Sequence, residues 1–190
     1  RRAKSGFAIT TTAAANVTEH GRGWEGEMGV WGDHQLPGLT ELAKQLNETG
    51  TLSLAQIFHG GMRAPQSLNV VQPVSASENT EDGMDGLYTR ELTHEEVLEM
   101  IQSFTDAAVR CQKAGFHGVE LHGAHSYLIC QFLGSETNRR EDEWGGDLMG
   151  RSKFLRDIIT SVRKATGADF IIGVRISPII DKAGIYLHES

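Results

Sequence analysis

The stretch FHGVELHGAHSYL, residues 116–128, decides the fold. Its first six residues form a short, mostly apolar run of strand length. The rest sets two histidines three apart, His122 and His125, with Tyr127 two residues further on. A strand that ends in a cluster of polar groups is the unit from which parallel α/β sheets build their sites.

Three other stretches have strand character: 6–11 (GFAITT), 52–58 (LSLAQIF) and 170–176 (FIIGVRI). Helical patterns lie between them. Leu39, Leu42, Ala43 and Leu46 share one face, and Gly50 sits where that helix should stop. Val97, Ile101, Phe104, Ala108 and Cys111 repeat at helical spacing behind a capping box of Thr93 and Glu96, with Gly115 at the end. Phe154, Leu155, Ile158, Ile159 and Val162 make a third stripe closed by Gly167. Strand and helix alternate, so parallel strands joined by crossover helices are expected. Residues 60–92 are rich in Gly, Pro and acidic residues with little periodicity and read as a long loop, its acidic run at 78–85 as a solvated face.

Two α/β architectures fit: an open doubly wound sheet, or part of a closed (β/α)8 TIM barrel. Gln56, the 122–127 cluster and Arg175 all fall at or just past the carboxyl ends of three different strands, where barrel enzymes assemble their sites. No GxGxxG follows a strand. The barrel is the expected fold, in a single domain over 1–190.

Bulk properties narrow the function. The 190 residues carry 18 basic and 25 acidic side chains, a net charge of −7, which disfavours broad contact with nucleic acid. No apolar run reaches transmembrane length, and RRAKSGFAITTT has no sustained apolar stretch behind its basic start, so neither a membrane span nor a signal peptide is expected. With only Cys111 and Cys130, a disulfide framework is not expected and a cytoplasmic setting is.

Taken one at a time, the polar groups keep several readings. Gln56 is either a buried amide bonded to backbone or a partner for the edge of a heterocycle. Arg175, a permanent cation in an apolar strand, requires a partner: an acidic residue on a neighbouring strand, or an anionic ligand. His122 and His125 could be metal ligands, though Glu120 and His59 are the only nearby further donors and fit no zinc spacing. They could equally be structural, or could donate together to one carbonyl oxygen. Tyr127 is a rim aromatic or a proton donor.

Together with TTAAANVTEHGRG (11–23), LAQIFHGGMR (54–63), AGFHGVELHGAHSYLICQFL (114–133), NRREDEWGGDL (138–148) with Arg151, and GVRISP (173–178), these residues resemble the Old Yellow Enzyme family of FMN-dependent ene-reductases, in order and spacing over nearly the whole chain. The resemblance implies a TIM barrel with FMN at its carboxyl mouth. It places Ala14 behind the flavin, Gln56 on the pyrimidine edge, and Arg175 beside N1 and O2. His122 and His125 fall on the substrate's activating oxygen, His122 also bordering the flavin, and Tyr127 at the proton-donor position. The implied chemistry is ping-pong, with NADH or NADPH as reductant and hydride passing through flavin N5 to an enone, enal or nitro compound.

Aligned on those motifs, the chain runs from just before the family's second strand to just after its fifth, and GSET at 134–137 stands where the family usually has a Ser-Pro turn. A partial barrel covering about strands 2 to 5 is therefore expected, a fragment that by itself holds FMN weakly. Two alternatives remain: a dienoyl-CoA reductase-like member of the wider family, and a non-catalytic half-barrel acting through association with another chain, including a homo-oligomer.

Overall fold

A computed structural model describes residues 1–80 and 88–185. Its main sheet contains β1 (Ile9–Thr11), β2 (Ala15–Asn16), β3 (Met28–Gly29), β4 (Leu52–Phe58), β7 (Gly118–Gly123) and β8 (Ile171–Ile176), all paired in parallel. Three long helices make the crossovers: α1 (Leu36–Asn47), α3 (His94–Lys113) and α5 (Lys153–Thr166). In space the major strands follow chain order, β1 and β2 beside β4, then β7, then β8. A doubly wound sheet would reverse direction at a switch point. This one does not, and the chain is a partial (β/α) barrel.

Strand alternation divides the sheet into two faces. Ala55, Ile57, Val119 and Leu121 point outward into a core shared with Leu39, Ala43, Val97, Phe104, Phe154 and Ile158, all nearly fully buried. Each such large side chain contributes ~1.5–3 kcal/mol by burial. A one-residue slip would turn a whole strand's apolar set away from the helices, so packing fixes the register. The intervening Gln56, Glu120 and His122 consequently face the barrel interior.

The helix signals act as read. Thr93 Oγ1 accepts from Glu96 N–H at 3.2 Å, and the Glu96 carboxylate accepts from Thr93 N–H at 2.9 Å. Gly50, Gly115 and Gly167 follow the three helices with positive φ, 80°, 95° and 83°, which a side chain would disfavour.

The first strand differs from its expected span. It begins at Ile9 and continues, after an interruption, as β2. Thr11 pairs with Leu54 and Ala15 with Ile57, so four steps on one strand match three on the other. The extra residue at 12–14 is a β-bulge. The third strand also ends later than expected and takes in His122 and Gly123.

The 60–92 segment is more structured than a long loop. It holds α2 (Gln66–Asn69) and a small parallel sheet of β5 (Val74–Ser75) and β6 (Arg90–Glu91). These elements are too short to show periodicity, and polar bonds from the 137–142 region organise them. Buried Arg140 donates to Leu92 O (2.6 Å) and Ala76 O (3.1 Å) and pairs with Asp142 (2.5 Å). Asn79 Nδ2 donates to Thr137 O at 2.8 Å. Of the acidic run at 78–85, Glu78 is exposed, Asn79 buried and Thr80 exposed; residues 81–85 lie outside the described ones.

Within the described residues the barrel is open. Val174 and Ile176 are 38% and 51% exposed on β8, as are Phe7 and Ile9 (60% and 51%) at the other end of the sheet. No helix among the described residues is long and apolar enough to cross a membrane. Cys111 and Cys130 are free and buried, and burial pushes their thiols up to about 12 and about 11.

Candidate active site

A cavity of about 640 Å3 opens at the carboxyl mouth of the sheet, and Ala14, Gln56, His122, His125, Tyr127 and Arg175 all line it, with Thr10, Thr11, Thr12 and Trp24. The bulge brings Ala14 to the cavity. Inside the bulge Thr12 Oγ1 accepts from Gln56 N–H at 3.3 Å, fastening the interrupted strand to β4.

Glu120 organises the inner face. Register sets Glu120 opposite Gln56, and His122 opposite Arg175. A single oxygen, Glu120 Oε1, accepts from Gln56 Nε2 at 2.5 Å and from Arg175 Nε at 3.1 Å. Of the two partners open to Arg175, the structure supplies the acidic residue on the neighbouring strand. The Arg175 side chain is 50% exposed because β8 is the sheet edge, and a carboxylate on the next strand already pairs with it. By sequence Glu120 stands out only as a nearby metal donor. Among the described residues no three His, Cys, Asp or Glu side chains are grouped to hold a metal.

His122 is buried, and its pKa is lowered to about 4, chiefly by burial and then by His125 and Arg175. Its Nδ1 accepts from Ala124 N–H at 3.3 Å, so the neutral ring carries its proton on Nε2 as a donor. The rings of His122 and His125 lie 5.0 Å apart, and those of His122 and Tyr127 4.9 Å, both edge to face. Phe58 meets the Tyr127 ring at 4.7 Å and stacks on Trp24 at 5.7 Å, forming an aromatic wall with no periodic signal in the sequence.

The loop carrying the cluster is strained. His125 and Ser126 both have positive φ, 56° and 58°, and Tyr127 N–H closes the turn on Ala124 O at 3.2 Å. Left-handed backbone costs non-glycine residues ~1–2 kcal/mol each, so surrounding contacts must hold it. Arg63 supplies some of them. Its Nη1 donates to His125 O at 2.9 Å, and its guanidinium lies 5.4 Å from the centre of the Tyr127 ring. His59, also close by in sequence, is fully buried. Its pKa is lowered to about 4 by burial, and Nδ1 accepts from Gly61 N–H at 3.0 Å.

Glu27 accepts from Gly23 N–H (2.7 Å) and Trp24 N–H (3.3 Å), fixing the turn that presents Trp24 to the cavity. Burial, the largest influence, pushes its pKa up to about 7 against those bonds.

A family model described as NADH:flavin oxidoreductase / NADH oxidase family matches residues 1–184. A probable NADH-dependent flavin oxidoreductase of Bacillus subtilis (strain 168), YqiG, is 38% identical over 90% of this chain and 47% of its own length. An NADH:acrylate oxidoreductase of Vibrio harveyi is 38% identical over 99% of this chain and 19% of its own. The solved old yellow enzyme homologue from Zymomonas mobilis superposes with a TM-score of 0.86 at 29% identity, covering 95% of this chain and 53% of that one. The chain thus spans about half the length of the first relative and of that structure, and less of the second.

Proposed function

Since the chain belongs to the NADH:flavin oxidoreductase / NADH oxidase family, we propose that it forms the mouth of an FMN-dependent reductase acting on activated C=C bonds of α,β-unsaturated carbonyl or nitro compounds, with NADH or NADPH as reductant. The observation that carries this reading is the meeting of six side chains from four strands and their loops on one cavity.

The residues present fit a flat heteroaromatic group. Ala14 offers a small floor, Gln56 an amide, and Arg175 a cation, while the cavity is of ligand-binding size. When bound, FMN supplies the hydride chemistry. The protein supplies recognition and charge. Gln56 pairs with the pyrimidine edge, and Arg175 balances negative charge on the ring. Glu120 fixes both of those side chains through one oxygen.

His122 presents Nε2–H, and with His125 it holds the substrate's activating oxygen. Those bonds draw electron density from the double bond and stabilise the charge that develops on the oxygen. Because His122 stays neutral down to about pH 4, it serves as a hydrogen-bond donor and not as an acid. Tyr127, held edge-on by His122 and Phe58, delivers the proton to the α-carbon.

The test is Tyr127→Phe in the flavin-loaded protein, following the two half-reactions separately by stopped flow. Reduction of an enone should slow by roughly 10²-fold or more, the usual range for a general acid, with flavin reduction by nicotinamide little changed. Equal loss in both half-reactions would remove Tyr127 from this role.

A further inference from the structure

Gln131 is a long polar side chain with no exposure at all, three residues after the N-terminus of α4 (Leu128–Leu133). Its amide is fully engaged with backbone. Nε2 donates to Ser126 O at 2.6 Å and to Gly60 O at 3.4 Å, and Oε1 accepts from Met62 N–H at 3.2 Å. Its own N–H donates to O of Tyr127, the residue that caps the helix, at 2.9 Å. One side chain therefore joins the loop after β4, which carries His59 and Arg63, to the loop after β7, which carries His125 and Tyr127.

Both loops are left-handed where Gln131 touches them. Ser126 has φ 58°, and Gly61 has φ 60°. A Cβ on Gly61 would lie 2.4 Å from Gln131 Oε1, so the glycine admits the amide to this position. The donated bond to Ser126 O constrains the peptide that follows a left-handed residue, directly before Tyr127. Arg63 holds the peptide before it, by donating to His125 O at 2.9 Å.

We propose that Gln131 is a positioning residue, which holds the left-handed His125–Ser126 turn so that His125 and Tyr127 face the cavity. The proposal rests on the roles given above to His125 and Tyr127. It adds a requirement that neither of them reveals: the turn is set from behind, by a side chain that does not line the cavity.

The test uses Gln131→Leu, Ser126→Gly and their combination in the flavin-loaded protein. Glycine adopts the left-handed conformation without steric cost, so it should substitute for the clamp. Two readouts are taken: backbone amide exchange over 124–128, and enone turnover. Gln131→Leu should raise exchange in that segment at least tenfold and lower turnover at least tenfold. Ser126→Gly in the same chain should restore at least half of each loss on a logarithmic scale. Gln131→Glu, which keeps an acceptor for Met62 N–H, is the second variant should leucine prevent folding; it should show the same exchange increase and the same recovery by glycine. Unchanged exchange over 124–128, or a loss that glycine does not relieve, overturns the proposal. A wild-type protein that reduces no enone would instead defeat the functional reading, with the exchange measurement still deciding the clamp.

Discussion

Arg175 pairs with Glu120 across two neighbouring strands, Nε to Oε1 at 3.1 Å, and that same oxygen receives Gln56 Nε2. Two groups assigned to the flavin therefore share one carboxylate, and the net charge they offer is a balance. Because Arg175 is half exposed, the pair adds little to stability; exposed ion pairs contribute about 0–1 kcal/mol. Its consequence is electrostatic. Reduction adds negative charge to a flavin, so Glu120→Gln should raise the midpoint potential of the bound cofactor and Arg175→Met should lower it. Shifts of about 30 mV, equivalent to about 1.4 kcal/mol for two electrons, are expected and can be read against a reference dye. Identical potentials in the three proteins would show that neither charge acts on the ring.

Acid should destabilise the fold through His59 and His122. Burial lowers both to about 4 in the folded chain, below the ordinary histidine value of 6.5. The unfolded chain binds protons first as pH falls, so the stability these groups give is complete above about 6.5 and is lost progressively down to about 4. Each can contribute a slope of up to about 1.4 kcal/mol per pH unit in that window. Urea titrations between pH 7 and 5 should show the decline, and His122→Asn should flatten it. A slope unaffected by that substitution would assign the titration elsewhere.

Glu27 acts in the opposite direction. Its folded pKa is raised to about 7 from 4.5, so its contribution is full below about 4.5 and is lost as pH rises through 7. Glu27→Gln keeps an oxygen for Gly23 and Trp24 N–H but cannot ionise. The melting temperature of the wild type should fall between pH 6 and 9 relative to that of the variant. Parallel curves would show that Glu27 is already ionised at pH 6.

Arg63→Met should lower stability by about 1–2 kcal/mol, combining one hydrogen bond to His125 O with the contact over the Tyr127 ring. Denaturant midpoints at constant slope measure it. Arg63→Lys should recover only part of this loss, because an ammonium cannot reproduce the planar fork. A fully stable lysine variant would mean that charge alone suffices.

Much of the fold was legible because it rests on long periodic signals. The stripes from Val97 to Cys111 and from Phe154 to Val162 are buried as their spacing requires, and the Thr93–Glu96 box starts its helix. Elements of two to four residues, such as β2, β5 and α2, are too short for any period to register. The six side chains named from the sequence do line one cavity, because each sits near a strand's carboxyl end. An acidic partner for Arg175 is expected from the sequence, but only register with Gln56 and reach to Arg175 single out Glu120. Trp24 arrives through a turn with no pattern of its own. The left-handed pair His125 and Ser126 contains neither Gly nor Asn, so nothing in the letters marks the strain.

The bulge at 12–14 has a consequence for sequence change. It acts as a half-period phase shift: without it, the alternation begun at Ile9 would run on and turn Ala15, Asn16 and Val17 to the opposite faces. Removing any one residue between Thr12 and Ala14 would therefore do more than shorten a loop. It would exchange inside for outside at the mouth, driving Asn16 toward the apolar layer or Val17 out of it. Substitutions there meet only a limit of size, whereas insertions and deletions meet a limit of parity. Among homologous chains the length of this segment should be held more tightly than its letters.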